Sequence, residues 1–161
     1  MKFVIDKEKA KNAPIGTVNP KILNDLDSLM PIRSTKGSAG YDIKIPVDIN
    51  FRMAAANVNP AIGFDTFIKI EDMPKDMVAL VFARSSVGIE KGMLLDNAVA
   101  VIDSDYKDTI RIYLHSIDAR AYTEFKAGDR IAQIVFVKHY LVDDDIEPVT
   151  VRDGGLGSTG K

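Results

Sequence analysis

The run Thr109-Ile110-Arg111-Ile112-Tyr113-Leu114 alternates its side chains so that Ile110, Ile112 and Leu114 share one face. Period-two alternation marks a half-buried antiparallel strand, packed on one side and wet on the other. Phe3-Val4-Ile5, Ile43 to Ile49, Phe67 to Ile70, Met77 to Phe82 and Arg130 to Val137 are similar short runs rich in Val, Ile, Phe and Tyr. Gly, Pro, Asn and Asp separate them, so the spacing predicts a mainly β fold, a barrel or jelly roll. Helix signals are few. Pro20 to Met30 has Asn19 as a cap and Ile22, Leu23, Leu26, Leu29 and Met30 near helical spacing, and Ser86 to Lys91 is a second short candidate interrupted by Gly88. Phe51 to Gly63, with its alanines, Asn57, Asn59 and Pro60, reads as a long hairpin connection or an insertion.

A chain of 161 residues, 46% hydrophobic, is one domain with enough apolar material for a core. Its net charge of -2 supplies no basic field for nucleic acid. The absence of cysteine excludes disulfides and thiolate metal sites. With no apolar run of signal-peptide or membrane-spanning length, a soluble cytoplasmic protein is the expectation.

Five stretches carry candidate chemistry. Asp42, in Ser38-Ala39-Gly40-Tyr41-Asp42, follows a glycine turn and is either a solvated turn residue or a placed carboxylate. Arg84, Ser85 and Ser86 follow an apolar strand; a guanidinium with hydroxyls suits a phosphate chain, and a helix cap by either serine is the alternative. Asp103 follows the apolar run Ala98 to Ile102 and could be a general base held in a semi-enclosed site, with Tyr106 as a flat face for a sugar or base, or a core aromatic. Gln133 interrupts the apolar run after Gly128-Asp129-Arg130, so the sheet or a ligand must satisfy it. The last stretch, Arg152-Asp153-Gly154-Gly155-Leu156-Gly157-Ser158-Thr159-Gly160-Lys161, matches the glycine and lysine spacing of a P-loop but has neither the following hydroxyl nor the helix that such a loop needs. It is either a disordered terminus or a flap that orders on an anion. His115 and His139 belong to no nucleophile or metal motif. The inventory fits water attack on a phosphate chain with a hard, oxygen-liganded cation such as Mg²⁺.

Taken in order, AGYDI, ARSSVG, VIDSDY, GDRIAQIVF and RDGGLGSTG resemble the five motifs of the trimeric dUTPase family, phage and bacterial members included, from Ser38 to the C-terminus. The resemblance implies an antiparallel, jelly-roll-like β-barrel with one or two short helices. Residues 1–151 would form it, with an N-terminal extension and a hairpin insertion near 51–63, and residues 152–161 would be a flexible, glycine-rich flap closing over a neighbouring subunit's nucleotide. It further implies a homotrimer with shared sites that hydrolyses dUTP to dUMP and pyrophosphate. Asp103 would activate the water, Tyr106 would pack under the deoxyribose, and Asn97, Val101 and the backbone of the Asn97 to Ile102 hairpin would read uracil. Arg84, Ser85, Ser86 and Gln133 would hold the phosphates, Arg152, Leu156, Gly157, Ser158 and Thr159 would arrive with the flap, and Asp42 would support waters around a Mg²⁺ carried mainly by the phosphates.

Five departures from the family pattern stand out. Leu156 replaces a usual Phe, Ala100 and Asp108 replace usual glycines, Thr66-Phe67 replaces a usual Thr-Gly, and Phe51 to Gly63 is longer than usual. The related dCTP deaminases use a Glu where this chain has Tyr113, so a deaminase is the weaker alternative. A nucleotide-responsive module that binds a regulatory protein through Phe51 to Gly63 is another, compatible with catalysis.

Overall fold

The computed structural model describes residues 1–52, 61–117, 122–149 and 152. In chain order the strands are β1 (Lys2–Ile5), β2 (Tyr41–Lys44), β3 (Ile49–Arg52), β4 (Ile62–Asp65), β5 (Ile68–Glu71), β6 (Met77–Ala83), β7 (Met93–Leu95), β8 (Ala100–Ile102), β9 (Arg111–Ser116), β10 (Tyr122–Phe125) and β11 (Arg130–Lys138). Helical structure is confined to α1 (Lys7–Lys11), α2 (Pro20–Asn24), a 3₁₀ turn (Leu26–Leu29) and a π-helical turn (Ser86–Glu90) among the described residues. A four-stranded sheet runs β2-β11-β6-β8, a three-stranded sheet β4-β9-β7, and β1-β5 and β10-β3 form pairs. Among the described residues every pairing is antiparallel, and the arrangement is jelly-roll-like as expected, without closing there into one continuous barrel.

The alternation of β9 holds: Ile110, Ile112 and Leu114 are all buried. Two expected elements break. Ile43 to Ile49 is not one strand, because β2 ends at Lys44 and Pro46, which has no N–H for a ladder, precedes β3. Likewise Pro20 to Met30 divides at Asp25, whose φ of -139° leaves the helical region, although Asn19 does cap α2 by accepting from the Lys21 N–H at 2.9 Å. α1 is too short to show periodicity; Asp6 caps it and only Ala10 is buried. The strands β3 and β4 that flank 53–60 pair with β10 and β9 respectively, and residues 53–60 lie outside the described residues.

The buried core runs through Ile43, Ile45, Ile68, Val81, Ile131 and Ile134. Phe3 fastens β1 to it: the Phe3, Tyr41 and Phe136 rings lie 5.3 to 6.1 Å apart. On β11 the consecutive residues Ile131 and Ala132 are both fully buried, and the register against β2 shifts between Arg130 and Ala132. This bulge places Arg130 and Gln133, three apart, towards the same part of the sheet, which simple alternation would forbid.

Phe67 sits at φ 59°, a left-handed conformation that explains why glycine suits this position, and its ring is nonetheless buried. A side chain there costs about 1–2 kcal/mol of backbone strain, which the buried ring offsets. In an ordinary strand, Gly is less stable than Ala by about 0.5–1 kcal/mol. Here Phe67→Gly is expected to be at least as stable as Phe67→Ala in urea unfolding; the ordinary order would show that the left-handed backbone carries no strain.

Candidate active site

Asp42 is the hub of the first cluster. Its buried carboxylate takes Arg84 Nε at 3.1 Å on one oxygen, and Arg130 Nη1 at 3.0 Å and the Ser34 hydroxyl at 2.6 Å on the other. Strand β2 presents it, the end of β6 presents Arg84 and the β11 bulge presents Arg130. Arg84 is fixed further because its carbonyl accepts from the Val87 and Gly88 N–H groups as the π-helical turn begins. Two guanidiniums against one carboxylate leave an excess of positive charge. Asp42, Arg84, Ser85 and Gln133 line a depression of about 340 Å³ with Ser34, Ser38 and Gly40. A Cβ on Gly40 would stand 2.6 Å from Gln133 Oε1, so the glycine is what lets Gln133 lie across this backbone.

A second cleft, of about 260 Å³, is lined by Asn97, Ala100, Val101, Asp103, Tyr106, Tyr113 and Arg152, among others. The expected Asn97 to Ile102 hairpin is instead a corner: β7 pairs with β9 and β8 with β6, so the chain passes between sheets. Ala98 makes that corner at φ 58°, while Ala100 lies in β8 opposite Val81. Neither Ala100 nor Asp108 has a positive φ, so neither departure strains the backbone. β8 is an edge strand, and its outer backbone groups have no strand partner among the described residues. Asp103 is half exposed at the cleft, and Tyr106 is held by its N–H to the Asp103 carbonyl and its hydroxyl to the Thr109 carbonyl, both 3.1 Å. Burial raises the Tyr106 pKa, so its hydroxyl stays protonated and donates. Arg152 crosses the cleft, pairing with Asp103 at 2.5 Å and Asp105 at 3.0 Å, with its guanidinium carbon 5.6 Å from the Tyr106 ring centre.

The candidate residues thus divide into two groups with no lining residue in common. Asp42, Arg84, Ser85 and Gln133 belong to one, and Asn97, Val101, Asp103, Tyr106 and Arg152 to the other. Ser86 lies in the π-helical turn and lines neither. Leu156, Gly157, Ser158 and Thr159 lie outside the described residues. Ser34 and Arg130 were missed by sequence reasoning; Arg130 could have been found only by anticipating the bulge. A more apolar hollow of about 560 Å³ between α1 and β4 has Lys9 and Asp65 as its ionisable lining, and they pair with each other at 2.9 Å, so it offers no comparable charged site.

The dUTPase family matches residues 27–160, and the chain belongs to that family. A deoxyuridine 5'-triphosphate nucleotidohydrolase of Corynebacterium glutamicum is 35% identical over 141 residues, covering 85% of this chain and 91% of the relative. The crystal structure of a Streptococcus mutans dUTPase superposes with a TM-score of 0.65 at 25% identity, covering 89% of this chain and 99% of that one. A mutant dUTPase from phage phi11 of S. aureus, whose structure reveals the coordination of a structural Mg(II) ion, shares the fold at a TM-score of 0.60 and 19% identity, covering 74% of this chain and 88% of that one.

Neutralising the hub should be felt in the fold. Asp42→Asn keeps the shape but leaves Arg84 and Arg130 facing one another uncompensated, and is expected to destabilise by about 2 kcal/mol in urea unfolding. Stability unchanged to within about 0.5 kcal/mol would mean that the two arginines do not depend on its charge.

Proposed function

We propose that the chain hydrolyses dUTP to dUMP and pyrophosphate, at sites where the Asp103 cleft of one copy meets the Arg84 depression of another in a homotrimer. The observation that carries the reading is the placement of Asp103, a half-exposed carboxylate at the mouth of a cleft that also holds Tyr106 and an open backbone edge. Backbone donors and acceptors at fixed positions on β8 distinguish the 4-oxo of uracil from the 4-amino of cytosine, since the two present opposite hydrogen-bond senses. Tyr106 covers the sugar and leaves no room for a 2′-hydroxyl. Asp103 takes a proton from water as its oxygen attacks the α-phosphorus and the bond to the pyrophosphate oxygen breaks. Arg152 pairs with this same carboxylate, so a triphosphate that competes for the guanidinium also frees Asp103 to act as base.

Association is supported by the segment after β11, where Tyr140, Leu141, Val142, Ile146 and Val149 are all exposed within one stretch. The separation of the two groups of site residues supports sharing, because each lacks what the other holds. No group of three or more His, Asp or Glu among the described residues could hold a metal unaided. Asp42 uses three of roughly four lone-pair positions, which leaves one for a water of a Mg²⁺ that arrives on the phosphates. When bound, that ion would offset phosphate charge, and Arg84, Ser85 and Gln133 would hold the remaining oxygens.

Pyrophosphate release with Mg²⁺, measured separately on dUTP, dCTP, dTTP and UTP, tests the reading. Release selective for dUTP is expected, with Asp103→Asn losing about 10²–10⁴-fold in kcat at little change in KM. Equal release from all four, or normal turnover by Asp103→Asn, contradicts it.

A further inference from the structure

Lys9 belongs to α1, before the residues that the family matches, yet its ammonium reaches the turn that carries Tyr106. Its Nζ lies 2.7 Å from Asp108 Oδ1 and 2.9 Å from Asp65 Oδ2, and it also donates to Thr109 Oγ1. The Thr109 hydroxyl passes the network on to Asp65 at 2.7 Å, and the Thr109 N–H donates to Asp108 at 2.7 Å. Thr109 is fully buried, and its carbonyl receives the Tyr106 hydroxyl. One cation from the N-terminal helix therefore holds two carboxylates and a threonine in the arrangement that anchors the Tyr106 ring. Arg111 adds a second contact to Asp108 at 3.0 Å but stands 3.9 Å from Asp65, so Lys9 is the nearer cation to Asp65, which also accepts from the Phe67 N–H and the Thr109 hydroxyl, each at 2.7 Å. The ionisations agree: burial works against the Lys9 charge, yet the hydrogen bonds it donates to Asp108 and Asp65 raise its pKa overall, and Lys9 and the Thr109 N–H bring Asp108 below its ordinary value despite burial.

We infer that Lys9 is a positioning residue for Tyr106, and that through it the N-terminal helix sets selectivity for the 2′-deoxy sugar. The inference rests on the dUTP reading above. Lys9 touches no substrate. It acts by keeping Asp65 and Asp108 together beneath the turn, and without it they repel and the Thr109 carbonyl that holds Tyr106 shifts. A loosened Tyr106 readmits a 2′-hydroxyl, so kcat/KM for UTP rises relative to dUTP.

The test compares wild type, Lys9→Met and Lys9→Arg for the ratio of kcat/KM on dUTP to that on UTP. Each protein is also labelled with 3-fluorotyrosine, with the Tyr106 resonance assigned by Tyr106→Phe. Loss of positioning should lower the ratio about tenfold in Lys9→Met, as for other partners that act through a contacting group. The Tyr106 fluorine resonance should shift or broaden, and Lys9→Arg should restore both. A merely structural role lowers activity on both nucleotides alike and leaves their ratio unchanged. Folded Lys9→Met with an unaltered ratio and resonance overturns the inference, and if Lys9→Met does not fold, failure of folded Lys9→Arg to keep the wild-type ratio and resonance overturns it equally. Wild type without a preference for dUTP would instead sink the functional reading, and the resonance alone would then decide the positioning.

Discussion

A buried carboxylate between two guanidiniums is the constraint on which one end of the four-stranded sheet depends. Asp42 draws Arg84 from the end of β6 and Arg130 from the start of β11 onto β2, fixing three neighbouring elements of one sheet by charge as well as by ladder. Burial makes the arrangement exacting, because a charge that loses its partner there has no water to replace it. The β11 bulge is the geometric counterpart: without the extra residue, Arg130 and Gln133 would face opposite sides of the sheet.

The Asp103 cleft is built on backbone. β8 keeps one edge open while its other edge pairs with β6, and the corner at Ala98 carries the chain there from the neighbouring sheet. Tyr106 closes this cleft from a turn secured at both ends, by Asp103 and Thr109. Arg152 holds the cleft's carboxylates, so the group that would serve as base is also the group that secures the C-terminal arginine.

Much of this was legible in the sequence. Asp103, Tyr106, Asn97 and Val101 do share a cleft, and Arg84, Ser85, Gln133 and Asp42 share a depression; Arg84, Ser85 and Asp103 follow directly from a strand end, where local chain direction decides placement. What escaped was set by register and long-range pairing. Arg130 depends on a bulge that one unpaired strand cannot reveal, and Lys9 meets Asp108 across 99 residues of chain. β7 was missed because three residues hold too little alternation to register, and β8 was expected only as part of a hairpin. Pro46 was visible, yet the apolar residues around it disguised the break. Phe67 reads as an ordinary strand residue until its backbone angle is known.

The central claim is that a working site draws its base from one copy and its phosphate-binding arginine from another. Equal amounts of Asp103→Asn and Arg84→Gln chains, each nearly inactive alone, can be unfolded together, refolded and assayed for pyrophosphate release from dUTP. Random assembly of shared sites predicts recovery of roughly a quarter of wild-type turnover, since each intact half is supplied half the time. No recovery in a properly assembled mixture would place the whole site within one chain and contradict the account.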